Sequence, residues 1–181
     1  MRVFIAVYPP PEVQRTAESA TRPLKAVRDA VSWVRADNLH YTMRFLGEQD
    51  DAAVARAKLA MQKAAAVQAR FGAVLGGFGA FPTAKKARVL WIGMLQGAEP
   101  MRLLATALEH ELRAQGFERA DDAFEPHLTV GRVRTPGDWT TRLIDATTPE
   151  VRFQVDRLWL VQSELGAGGS RYEKLAEAPL G

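Results

Sequence analysis

The run Asn38-Leu39-His40-Tyr41-Thr42-Met43-Arg44-Phe45-Leu46-Gly47 carries a pattern that returns at Pro126-His127-Leu128-Thr129-Val130-Gly131-Arg132: a histidine, an apolar residue, a threonine. The chain holds only three histidines, and two of them open these motifs. Each run is short, rich in apolar residues and bounded by polar or turn-forming ones, which is how a β-strand reads. Side chains alternate between the faces of a strand, so His40 and Thr42 point one way, about 7 Å apart, and Leu39, Tyr41 and Met43 the other. His127 and Thr129 repeat this, with Leu128 and Val130 behind them. Such a strand has its back on a core and its front on a cleft, and two of them meeting there bring two imidazoles and two hydroxyls into one small volume.

Two histidines facing one substrate can divide acid and base work. An imidazole titrates near pH 6.5 when unperturbed, so one ring can accept a proton while the other donates. Threonine hydroxyls can donate to oxygens that gain charge in the transition state. This set of groups suits metal-free in-line displacement at phosphorus, with one histidine deprotonating the attacking oxygen and the other protonating the leaving oxygen.

Outward from the motifs, the order strand, helix, strand, helix, strand occurs and then a similar course again. Val3 to Tyr8 reads as a strand; the prolines 9–11 end it and open a helix over about 11–29. A short extended piece covers 31–35, and the first motif strand about 39–46, closed by Gly47. Asp50 or Asp51 caps a helix to about Arg70, with Val54, Ala57, Met61 and Ala65 on one face. A glycine-punctuated strand, 71–81, leads through a turn at Pro82-Thr83 into a hairpin partner over about 88–95. Pro100 begins a helix striped by Met101, Leu104, Leu108 and Leu112, and Gly116 stops it. After the second motif strand, about 126–133, alternation at Val151, Phe153 and Val155 marks a strand that continues into the doubly apolar run 158–161 and becomes central there. A turn at 166–170 precedes the last strand, 171–175. No linker or low-complexity segment divides residues 1–181, so the expectation is a single domain of two similar lobes, each a mixed or mostly antiparallel sheet with helices on its outer side.

At 47% hydrophobic and 25% charged residues the composition is that of an ordinary globular domain. The absence of cysteine excludes disulfides, thiolate catalysis and cysteine-ligated metal centres. No apolar run approaches the length of a membrane span, and the run 3–8 is too short for a secretory signal, so a cytoplasmic protein is expected. A net charge of +3 permits a polyanionic partner without demanding one. No metal is expected, for no His-Glu-x-x-His or EF-hand spacing occurs. The run Gly76-Gly77-Phe78-Gly79 has the wrong spacing for a phosphate loop and reads as a glycine-rich strand end, and His110 reads as an exposed helix residue.

The two motifs, in "NLHYTMRFLGE" and "PHLTVGR", resemble the signature of the 2H phosphoesterase superfamily, and within it the RNA 2′,3′-cyclic phosphodiesterases, also described as 2′-5′ RNA ligases. The likeness extends to "RVFIAVYPP", "ARVLWIGM" and "LWLVQSELGAGGSRYEKL", nearly the whole chain. The resemblance implies a bilobal α+β fold with a pseudo-twofold axis and a central cleft lined by both motif strands. It also implies hydrolysis of RNA 2′,3′-cyclic phosphate ends to 2′-phosphomonoesters without cofactor, by a protein taken to be a monomer, with weak reverse 2′-5′ ligation. His40 and His127 would be general acid and base; the assignment adopted is that His40 protonates the departing 3′ oxygen and His127 activates water, a different substrate pose exchanging them. Thr42 and Thr129 would hold the non-bridging phosphate oxygens.

The family carries an arginine where Arg132 stands, five residues after His127. Strict alternation puts it on the wrong face, and a bulge at Gly131 would turn it back. Phe45 occupies the matching place after His40, where the family often has a base-stacking aromatic, a core phenylalanine being the competing reading. Arg44 shares the face of His40 if the strand is regular, and there touches substrate or lies at the solvent end. Lys85, Lys86 and Arg88 form a basic turn suited to an RNA backbone, and Tyr172 resembles a position near the family's cleft. Rival readings are another 2H phosphoesterase, acting on a small cyclic nucleotide, ADP-ribose cyclic phosphate or 2′-5′ oligoadenylate; a non-catalytic RNA or nucleotide binder; and a metal hydrolase using the same histidines.

Overall fold

The computed structural model describes residues 1–25 and 30–181. In chain order the elements are β1 (Arg2–Val7), α1 (Pro11–Ala20), β2 (Val31–Trp33), β3 (Tyr41–Glu48), α2 (Asp51–Ala66), β4 (Phe71–Phe81), β5 (Ala87–Gln96), α3 (Ala98–Ala114), β6 (Leu128–Gly137), α4 (Thr140–Asp145), β7 (Val151–Val155), β8 (Arg157–Gly166) and β9 (Gly169–Pro179), with 3-10 turns at Arg22–Leu24, Ala36–Asn38 and Ala84–Lys86. Among the described residues the strands form one sheet in the order β7-β4-β5-β6-β3-β1-β8-β9, with β2 also paired to β6, and the pairings are antiparallel.

The motif strands β3 and β6 lie side by side at the middle. Outward from them run β1-β8-β9 on one side and β5-β4-β7 on the other, which are the two lobes. They are joined through the pair Tyr41↔Leu128. Both residues are 0% exposed, and the burial of Leu128 alone contributes about 1.5–3 kcal/mol. A one-residue slip would turn both out of the core, so apolar burial fixes the register of the histidines on the other face. The sheet curls: Tyr41 stacks on Phe153 with centroids 6.1 Å apart, although four strand spacings would separate β3 from β7 by about 19 Å in a flat sheet. The apolar stripes of α1, α2 and α3 join the core on the Tyr41 face, among them Val13, Ala57, Met61, Leu104 and Leu108.

Several boundaries differ from expectation. The first helix ends at Ala20 because Pro23 cannot continue it, and the rest of the expected helix, residues 26–29, lies outside the described residues. Gly47, at φ 74°, does not close β3 but absorbs an irregularity in its pairing with β1. The second helix stops at Ala66, short of Arg70, and α3 begins at Ala98, leaving Pro100 in its first turn. The strand expected to run from Val151 through Val161 is two. β7 is the edge partner of β4, whereas β8 is interior between β1 and β9, at the far side of the sheet. The short α4 carries one buried residue, Leu143, too little for a readable period. Among the described residues no helix is long and apolar enough to cross a membrane.

Candidate active site

Continuing the Tyr41↔Leu128 register by one residue each way sets His40 across from Thr129 and Thr42 across from His127, all four on the face away from the core. Leu39, Tyr41, Met43, Leu128 and Val130 are buried behind them. The charges of Arg132 and His127 both act on His40, so the two motifs form one cluster.

Each histidine is oriented in the same way. His40 Nδ1 lies 2.7 Å from the Asn38 carbonyl oxygen, and His127 Nδ1 lies 2.7 Å from the Glu125 carbonyl oxygen. A carbonyl only accepts, so each Nδ1 carries the proton and the neutral ring presents a bare Nε2. The approach to His40 is itself held. Buried Gln14 donates to the Leu39 carbonyl at 2.8 Å, and the Asn38 amide donates to Ser170 O at 3.0 Å. His40 Nε2 accepts from Thr42 Oγ1 at 3.0 Å.

Both motif strands bulge just after the threonine. On β3 the pairing with β1 passes from Ala6↔Thr42 to Ile5↔Arg44, leaving Met43 as the extra residue. On β6 the pairing with β5 passes from Trp91↔Thr129 to Leu90↔Gly131, leaving Val130 extra. A bulge reverses the phase of alternation. Phe45 therefore pairs with Phe4 on the histidine face, and Arg132 rejoins the face of Thr129. Gly131 is needed there, since a Cβ would come within 2.9 Å of Val31 and 3.0 Å of Trp33.

The same bulge overturns the regular-strand expectation for Arg44. It pairs with core-facing Ile5, and its guanidinium is engaged by Glu109 of α3 at 2.9 Å, by Phe45 O at 2.7 Å and by Glu118 O. Glu109 also accepts from Ala120 N at 2.9 Å, so this cluster ties down the segment leading to His127 and is not part of the cleft.

Burial pushes His40 down to about 4, and the charge of Arg132 and the neighbouring His127 push the same way, against the Asn38 carbonyl. Three rings surround it: Phe4 stacked at 4.8 Å, Tyr8 at 5.3 Å and Tyr172 edge-on at 5.3 Å. Tyr172 thus lies against the His40 ring. Burial, with Tyr172 nearby, raises the Tyr8 hydroxyl. His127 instead meets Phe81 edge-on at 4.9 Å and borders a cavity. Phe4, Tyr8, Phe81 and Trp91 were not singled out from the sequence. For Phe4 and Tyr8 the signal was the alternation of Phe4, Ala6 and Tyr8 with Val3, Ile5 and Val7, which makes the first strand apolar on both faces.

Lys85, Lys86 and Arg88 are exposed at the turn between β4 and β5, and Arg88 adjoins Val89, the partner of Arg132. Phe45 is 46% exposed, with Arg2 over its ring at 5.0 Å. His110 is exposed beside Glu111. Among the described residues no three of His, Cys, Asp and Glu cluster as a metal site.

A curled antiparallel α+β sheet with paired His-x-Thr strands is the architecture of a phosphoesterase. Residues 9–167 match the model of the 2′-5′ RNA ligase superfamily, and the chain belongs to that family. It is 30% identical over 178 residues to the RNA 2′,3′-cyclic phosphodiesterase of Thermotoga maritima, covering 98% of this chain and 94% of that one. It is 32% identical to the enzyme of the same name from Archaeoglobus fulgidus, covering 97% and 98%. Among solved structures it superposes on E. coli LigT complexed with 3′-AMP at a TM-score of 0.79, with 26% identity over 99% of this chain and 97% of that one.

Proposed function

We propose that this protein hydrolyses 2′,3′-cyclic phosphate at RNA ends to a 2′-phosphomonoester, using His40 and His127 as its proton-transfer groups. The observation that carries this reading is the pair of imidazoles on one face, each with Nδ1–H donated to a carbonyl and Nε2 available, beside two threonine hydroxyls. The enzymes that share the chain's family bear the corresponding name over nearly its full length.

The buried His40, pushed down to about 4, is neutral at physiological pH. That is the state of a base, so His40 takes the proton of the attacking water, and His127, acting in its doubly protonated form, gives its Nε2 proton to the departing 3′ oxygen. This exchanges the roles assigned from the sequence. As water adds to phosphorus and the 3′ P–O bond breaks, negative charge grows on the non-bridging oxygens. Thr42, Thr129 and Arg132 hold them, and Arg132 contributes the full positive charge. The exposed Lys85, Lys86 and Arg88 receive the RNA backbone beyond the site. A 5′-hydroxyl attacking the cyclic phosphate in place of water, with the same 3′ oxygen leaving, would give 2′-5′ ligation, but concentrated water favours hydrolysis.

The test is an assay on RNA ending in 2′,3′-cyclic phosphate that resolves 2′- from 3′-phosphate product, run on the parent, His40→Ala and His127→Ala. The expected result is a 2′-phosphate from the parent and a loss of at least about a hundredfold in each variant. Full turnover in both variants would sink the mechanism, and a 3′-phosphate product would reverse the bond assignment.

A further inference from the structure

Of the side chains that α1 buries, Val13 and Ala17 are apolar and Gln14 is an amide. Burying an amide costs free energy unless its hydrogen bonds are made, and an apolar residue of the same length would extend the stripe without that cost. Apart from aromatic residues, the polar side chains buried among the described residues are Gln14 and Thr21. Thr21 gives its hydroxyl to Glu18 O, at the end of the same helix. Gln14 instead reaches across to the turn Ala36–Asn38, which leads into His40.

Three successive peptide units of that turn are held. In the first, Asn38 N–H bonds Arg35 O at 3.0 Å, and the Asp37 carbonyl receives Gln14 Nε2 loosely, at 3.5 Å. In the second, Leu39 N–H bonds Ala36 O at 3.1 Å, and the Asn38 carbonyl receives His40 Nδ1 at 2.7 Å. In the third, the Leu39 carbonyl receives Gln14 Nε2 at 2.8 Å. One buried amide thus grips the peptides on both sides of the carbonyl that orients the imidazole. The internal bonds of a 3-10 turn have poorer geometry than those of an α-helix, so support from outside fixes where that carbonyl points.

The direction of the Asn38 carbonyl decides the chemistry of the ring. Which imidazole nitrogen carries the proton is set by the hydrogen bond that the other makes. With the carbonyl aimed at Nδ1, the tautomer carrying its proton on Nε2 would set two lone pairs against each other at 2.7 Å. If the carbonyl turned away, that tautomer would be admitted, because Thr42 Oγ1, 3.0 Å from Nε2, can accept as well as donate. A ring protonated at Nε2 has no lone pair there for a proton of water.

We infer that Gln14 is a positioning residue for the reaction: by clamping the turn before β3 it holds the Asn38 carbonyl on Nδ1 and keeps the His40 Nε2 lone pair free for the attacking water. The inference rests on the reading of His40 as the base. On the other strand the corresponding carbonyl belongs to Glu125, whose side chain pairs with Arg102 at the exposed surface, where an ion pair contributes little. The clamp therefore acts on one histidine, and His127 serves as a control within the same molecule.

Two substitutions test it. Gln14→Met keeps the length and bulk and removes the donor, whereas Gln14→Asn keeps the amide one methylene short of the Leu39 carbonyl. Each is measured twice: by the ring nitrogen NMR signals of the histidines at neutral pH without substrate, and by kcat and KM on cyclic-phosphate-ended RNA. The parent should show His40 protonated at Nδ1 and bare at Nε2. Each variant should shift the His40 ring toward the Nε2–H tautomer, leave the His127 signals unchanged, and lower kcat about ten- to hundredfold with KM unchanged. A loss of kcat with unaltered His40 signals would overturn the assignment, since the effect would then not pass through the ring. So would a tautomer shift with kcat intact, a loss confined to KM, or two variants that do not fold, which would make Gln14 a core residue only. Because the ring signals are read without substrate, an altered tautomer alongside a parent that does not turn over the RNA would fault the hydrolysis reading and leave the clamp standing.

Discussion

The half of the cleft around His40 and the half around His127 are built by one device and finished differently. Each has a His-x-Thr strand, an Nδ1–H held by the carbonyl two residues earlier, and a bulge after the threonine that brings the fifth residue onto the histidine face. That fifth residue is Phe45 in one half and Arg132 in the other. One imidazole is packed among Phe4, Tyr8 and Tyr172, while the other borders an open hollow. Two copies of one motif would give two histidines of like behaviour. Surrounding them differently lowers the proton affinity of His40 through burial, and the proposed division into acid and base needs two unlike histidines.

The largest expected effect would break the comparison outright. If the histidines act as a unit, His40→Ala and His127→Ala each lower the rate at least about a hundredfold, and the double variant falls little further, since groups that act together are not additive. Two losses that multiply in single-turnover assays would mean that the histidines serve separate steps.

Next comes the pair at the fifth position. Arg132→Gln should lower kcat/KM about tenfold or more, because it removes a full charge from the phosphate, whereas Phe45→Ala should cost only a few-fold. Arg132→Gln should also raise the His40 pKa, for that cation helps to hold it down. A smaller loss in Arg132→Gln than in Phe45→Ala would mean that the arginine does not reach substrate.

Arg44 sharpens the contrast from outside the cleft. Arg44→Ala should lower stability by about 2 kcal/mol, read from the denaturant midpoint, through loss of hydrogen bonds from a charged group to Glu109 and to two backbone carbonyls. The pH at which the low-pH limb of kcat/KM turns should not move. The smallest effect is expected from a chelator, which should leave the parent's turnover unchanged.

Alternation made one layer of this legible in advance. Leu39, Tyr41 and Met43 are buried, and His40 and Thr42 face away, because apolar burial and the strand period agree there. The bulge at Met43 was not legible. A strand's own sequence does not say where its partner β1 will skip a residue, and that skip sent Arg44 to α3. At Gly131 the signal existed, since a glycine inside a strand marks a close approach or a bulge. The division of 151–161 into β7 and β8 was hidden because Asp156 is the only residue between them, while their partners lie on opposite sides of the sheet. The walls of the site came from β1, β4, β5 and β9, whose aromatics read equally well as core until the sheet order sets them beside the histidines.

The most direct test of the division of labour is the pH dependence of kcat/KM on cyclic-phosphate-ended RNA, which reports the free enzyme's essential base. A neutral, buried His40 acting as that base predicts a low-pH limb turning near pH 4, well below the ordinary value of about 6.5. Since desolvation is the largest cause of the shift, Tyr172→Ala, by admitting water to the ring, should move the limb upward. A limb already at the ordinary imidazole value in the parent, and unmoved in Tyr172→Ala, would contradict the assignment of His40 as the base.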